Sequence, residues 1–144
     1  MKVSDATLAQ LERFIRKIAQ KFPSVEEPSI MTDIHLSLSQ ETGEFMAFDD
    51  NDNEITRCVM DDWINSSEPD FYDNAAGVIR DVITRLQDVA DNLCILKPYS
   101  FVLENDDREH LCELFKKPHF IEKEVTGDIR YYNSFLMKNP YTRW

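Results

Sequence analysis

Residues 45–62 read FMAFDDNDNEITRCVMDD. At the centre, DDNDNE (49–54) sets six oxygen-bearing side chains in a row, and what that run does decides the fold. A calcium loop would sit between two helices, whereas a turn would join two strands. Begun at Asp50, a calcium loop places Asp50, Asp52, Glu54 and Asp61 at its ligand positions, but Ile55 falls where the sharp bend needs Gly. Begun at Asp49, it places Glu54 at the bend and Met60 at the last ligand position. The flanks, with Phe45 and Phe48 before and Ile55 and Val59 after, have strand character. Asn and Asp tolerate the left-handed region and bond to their own backbone, so the stretch reads as a hairpin turn.

Upstream, Ile30, Thr32, Ile34, Leu36 and Leu38 alternate with Met31, Asp33, His35, Ser37 and Ser39. Period two predicts a strand with one wet face. Glu-Thr-Gly-Glu (41–44) is a turn whose Gly can take a positive φ. Before these strands, Leu8, Leu11, Ile15, Ile18 and Phe22 follow the helical spacing, with Ser4 placed to cap and Pro23 to stop it.

Downstream, NSSEPD (65–70) is a loop in which Ser66 or Ser67 would cap a long central helix. In that helix Ala75, Ile79, Val82, Leu86, Val89 and Leu93 step by four and three. Asp81 and Arg85 are spaced to pair on its wet face. Gly77 costs about 1 kcal/mol against Ala in such an interior, which a close neighbouring backbone would explain. Tyr99, Phe101 and Leu103 share one face of a fourth strand, NDDRE (105–109) turns the chain, and HLCELF (110–115) returns as a fifth. Thr126 can cap a last helix ending before Pro140. The result is one α+β domain over 1–144, in the order α-β-β-β-α-β-β-α: a single antiparallel sheet of about five strands on a long central helix. The stretches FDDNDNEITRCV and LENDDREHLCEL echo each other, as two hairpins of similar chemistry would without duplication.

The formal net charge is −11, unevenly spread. Residues 1–23 carry +3, residues 24–116 carry −16 and residues 117–144 carry +2. Such a body repels a phosphate backbone, which disfavours nucleic acid, and attracts a basic protein. Cys58, Cys94 and Cys112 are odd in number and lack a CxxC, which favours buried thiols in a reducing cytoplasm over disulfides or zinc. The N-terminus lacks the apolar run of a signal peptide, and no stretch reaches the ~20 apolar residues of a membrane span. Only three glycines occur, with no phosphate-cradling loop, and no cofactor or metal motif is present.

Asp33, His35 and Ser37 are the residue types of a nucleophilic triad. On one strand, however, residues two apart stand ~6.5–7 Å from each other and project in parallel instead of converging. The candidate contact residues are the acidic Asp61, Asp62 and Asp70 and the aromatic tail Tyr131, Tyr132, Phe135, Tyr141 and Trp144. The order of elements, size and acidity are similar to those of the small acidic type III secretion chaperones, which dimerise and hold an extended effector segment. No motif of that family is present and no residue carries over. The expectation is a non-enzymatic protein–protein interaction module, partnered by another protein or a second copy of itself. An acidic inhibitor of a basic enzyme is its sister reading. The alternative is an enzyme or small-ligand domain using His35 with Asp33, or His110 with Asp106, Asp107 and Glu109, and it needs a cleft at one of those histidines.

Overall fold

The computed structural model describes residues 1–24 and 27–119. Helix α1 (Asp5–Lys21) begins as its sequence predicts, the Ser4 hydroxyl accepting from the Thr7 N–H. Strands β1 (Ile34–Leu38), β2 (Glu44–Phe48) and β3 (Glu54–Val59) follow. After a short 3-10 turn, Asp61–Trp63, come α2 (Phe71–Arg85), α3 (Gln87–Ala90), β4 (Tyr99–Asn105) and β5 (His110–Lys117). The α+β class, the five-stranded sheet and the element order stand as expected. The last helix, predicted after Thr126, lies outside the described residues, as do Tyr131, Tyr132, Phe135, Tyr141 and Trp144.

The strand order is β3-β2-β1-β4-β5. Three pairings are antiparallel, but the central β1–β4 pair is parallel. A parallel neighbour needs a long crossover, and the chain between β1 and β4 supplies one through a hairpin and two helices. Ile34, Leu36, Leu38, Phe45, Ala47, Phe101 and Leu103 are fully buried on one face of the sheet. They form one cluster with Leu11, Ile15 and Ile18 of α1 and Ala75, Ile79 and Val82 of α2. Removing this apolar surface from water is the main stabilisation of the fold.

The central helix differs from expectation in three ways. It breaks at Leu86, whose N–H is shared between the carbonyls of Val82 and Ile83 at 3.0 and 3.1 Å. The tightened turn still leaves Leu86, Ala90 and Leu93 buried, so the apolar period survives the break. Its N-cap is Asp70, in the left-handed region at φ 56°, while Ser66 instead accepts from the Glu68 N–H in the preceding loop. Arg85 reaches Glu12 of α1 at 3.9 Å, tying helix to helix. Among the described residues no helix is long and apolar enough to cross a membrane.

Candidate functional site

The other face of the sheet is polar at its centre. His35, which alternates with the core residues Ile34 and Leu36, projects there beside Glu104 of β4. Its Nδ1 lies 2.6 Å from a Glu104 carboxylate oxygen, and its Nε2 lies 2.7 Å from Asp50. The two carboxylates differ: the Glu104 side chain is 8% exposed and that of Asp50 is 49% exposed. Arg108 closes the network, donating from Nε to Glu104 at 2.7 Å and from Nη2 to Asp52 at 3.0 Å. Its guanidinium sits 4.1 Å from the centre of the Phe48 ring, a cation–π arrangement.

Two turns bring these groups together, and they share one design. In the first, the Asp49 carboxylate accepts from the N–H groups of Asn51 and Asn53, and Asp52 is left-handed at φ 64°. In the second, the Asn105 side-chain oxygen accepts from the N–H groups of Asp107 and Glu109, and Arg108 is left-handed at φ 65°. The Arg108–Asp52 ion pair therefore joins equivalent positions of the two turns. DDNDNE is the hairpin turn its sequence predicts. Asp50, next to its anchor, also holds the start of β1: its N–H donates to Thr32 and its carboxylate accepts from the Asp33 N–H.

Burial alone would lower the pKa of His35, but hydrogen bonds and charge from Asp50 and Glu104 outweigh it, so the pKa stands above its ordinary value. A buried acceptor on Nδ1 fixes the ring and leaves Nε2 toward the wetter partner. That is the orienter–base geometry of many acid–base catalysts. Arg108 is likewise raised, chiefly by its bond to Glu104.

The expected partners of His35 are not the observed ones. Asp33 accepts instead from the Ser100 N–H at 2.8 Å, and Ser37 donates to the Asn105 carbonyl at 3.2 Å. Asp33, just before β1, and His35 and Ser37 on it thus reach separate partners, as their parallel projection requires. Glu104, the partner that matters, lies 69 residues from His35. No local spacing reveals it, though a Glu inside an otherwise apolar strand is a signal in itself. His110 is exposed at the start of β5. Neither His35 nor His110 lines any of three clefts found among the described residues. One of them, about 790 Å3, opens between the end of α1 and α3 beside Phe22 and Val89.

Of the acidic contact candidates, Asp62 has a structural task. It accepts from the Ser4 N–H and the Thr7 hydroxyl, both at 2.7 Å, and these bonds hold its pKa below the usual carboxylate range. Asp61 and Asp70 are exposed, in the 3-10 turn and at the start of α2.

No known protein family and no solved structure matches the chain. A stretch of 28 residues, 19% of the chain, is 68% identical to an inorganic triphosphatase of Acetivibrio thermocellus. The shared stretch spans 18% of that protein's length. This likeness to an enzyme overturns the expectation of a non-enzymatic interaction module, including its chaperone-like form, and favours the enzymatic alternative.

Proposed function

We propose that this protein is a hydrolase in which His35 is the acid–base group, with an inorganic polyphosphate such as triphosphate as substrate. One observation carries the reading: buried Glu104 holds Nδ1 at 2.6 Å while Nε2 faces the half-exposed Asp50. The short likeness to a triphosphatase supports the choice of substrate.

Protonated His35 donates from Nε2 to the bridging oxygen of the departing phosphate as its P–O bond breaks. A water oxygen bonds to the attacked phosphorus, and the proton it loses passes to Asp50 and from there back to the imidazole. Glu104 keeps the ring in place and favours its charged form. His35 lines none of the three clefts described, so in place of the expected cleft a small, multiply charged substrate is met on the open sheet face, where Arg108 is the cation of the network. Supplied as its Mg2+ salt, it meets less repulsion from the surrounding carboxylates.

The test is phosphate release from tripolyphosphate by the full chain, its His35→Gln variant and a Lys97→Gln control. The expected result is turnover that falls by about 10²-fold or more in His35→Gln and holds in the control. No release by the wild type, or equal release by wild type and His35→Gln, would sink the reading.

A further inference from the structure

The basic start of an otherwise acidic chain has no part in that chemistry. On α1, Arg13, Lys17 and Lys21 recur every four residues, so they line one face of the helix. Arg13 and Lys17 border a cleft of about 180 Å3 between α1 and the edge strand β3. Gln10 lines it from the helix, Thr56 and Cys58 from the strand. This is the helix-bearing side of the sheet: Cys58 packs against the same core as Phe45, its register partner.

Several donors around the cleft lack an acceptor among the described residues. Neither Arg13 nor Lys17 has an ion-pair partner among the described residues. The Thr56 hydroxyl makes no hydrogen bond there either. Gln10 uses one amide N–H on the Val59 carbonyl and retains a second. Arg57, at the rim, is already held by Glu54 and Glu44. Burial pushes the Cys58 thiol up to about 11 against the pull of Lys17 and Arg13, so it stays neutral and does not cancel their charge. The volume is below the roughly 300 Å3 at which sites for drug-sized ligands begin, which suits a compact inorganic anion.

We propose that this cleft binds a phosphate-class oxyanion, with Arg13 and Lys17 as its charge partners and Thr56 as its hydroxyl donor. The site stands apart from His35 on the opposite face and does not depend on hydrolysis.

The experiment is an amide NMR titration of the full-length, 15N-labelled chain with inorganic phosphate and, separately, tripolyphosphate. Saturable shifts are expected at Gln10, Arg13, Lys17, Thr56 and Cys58. Affinity falls at least tenfold in Arg13→Gln/Lys17→Gln. It holds in Arg16→Gln/Lys116→Gln, which removes the same charge elsewhere, and in His35→Gln. All four replaced cations are exposed, so the double variants keep the fold, which their unchanged remaining spectrum verifies. Tighter binding of tripolyphosphate assigns the cleft to a polyphosphate chain and equal binding to a single phosphate group, and either supports the proposal. No saturable shift up to about 10 mM anion, or equal weakening in both double variants, overturns it.

Discussion

Glu104 accepts from two cationic side chains at once, His35 and Arg108, while 6% exposed in the middle of a sheet. A buried carboxylate is costly unless paired and hydrogen-bonded, and here both of its oxygens have partners. The arrangement makes stability depend on pH in a definite direction. Because the folded pKa of His35 is raised, its contribution is complete below the unfolded value near ~6.5 and is lost as pH rises through the folded value. The groups that set it are Asp50 and Glu104 in direct contact, with the charge of Asp49 close by. Urea midpoints of wild type and His35→Gln should therefore differ most near about pH 6 and converge toward about pH 9. A gap that widens with pH would contradict this. At this scale the sequence is a partial guide. His35 stood out as a histidine on a wet strand face, but its obvious neighbour Asp33 was the wrong partner. Side chains two apart on a strand run parallel, so a convergent site must draw on other elements. Nothing in 49–54 advertises Asp50, and in 99–105 the signal is Glu104 directly after the apolar run Phe101–Leu103.

Elements follow local chemistry closely wherever a period or a turn residue decides them. The stripe of α1, the Ser4 cap and the shared face of Tyr99, Phe101 and Leu103 are all read correctly from spacing. The two glycines of the described residues, Gly43 and Gly77, show where such reading stops. Gly43 has φ +72°, and a Cβ there would meet the Met60 carbonyl oxygen at 2.7 Å. Gly77 has nothing within 4 Å of its would-be Cβ, so the close backbone approach expected from sequence is absent. The two sites predict opposite outcomes. Gly77→Ala should stabilise the protein by about 0.5–1 kcal/mol, and Gly43→Ala should destabilise it by roughly 1–3 kcal/mol. Thermal melts check both, and a loss of stability in Gly77→Ala would show that the helix tolerates no side chain there. The paired turns at 49–53 and 105–109 are a finding at the same level. Asp49 and Asn105 each gather the N–H groups two and four residues on, so the resemblance between FDDNDNE and LENDDRE is one of turn mechanism.

In the whole molecule, one face of the sheet carries the helices and the other carries the charge network, and the parallel β1–β4 pair joins the two hairpins. That pairing escapes a sequence reading because neither strand encodes its neighbour. The crossover through α2 decides which end of β4 meets β1. Because α2 is part of the single core cluster, one charge on its buried side should be felt everywhere. Val82→Asp, at a fully buried position, should abolish cooperative unfolding, while Asp88→Asn, at an exposed position of α3, should melt like wild type. Equal melts would mean that α2 is not seated as described. The proposed acid–base role of His35 rests on fold and chemistry together, and a pH titration of its imidazole by NMR tests it most directly. The expected midpoint lies above the ordinary ~6.5 and falls in Glu104→Gln. A midpoint at or below ~6.5 in the wild type, or one unmoved by Glu104→Gln, would contradict the account.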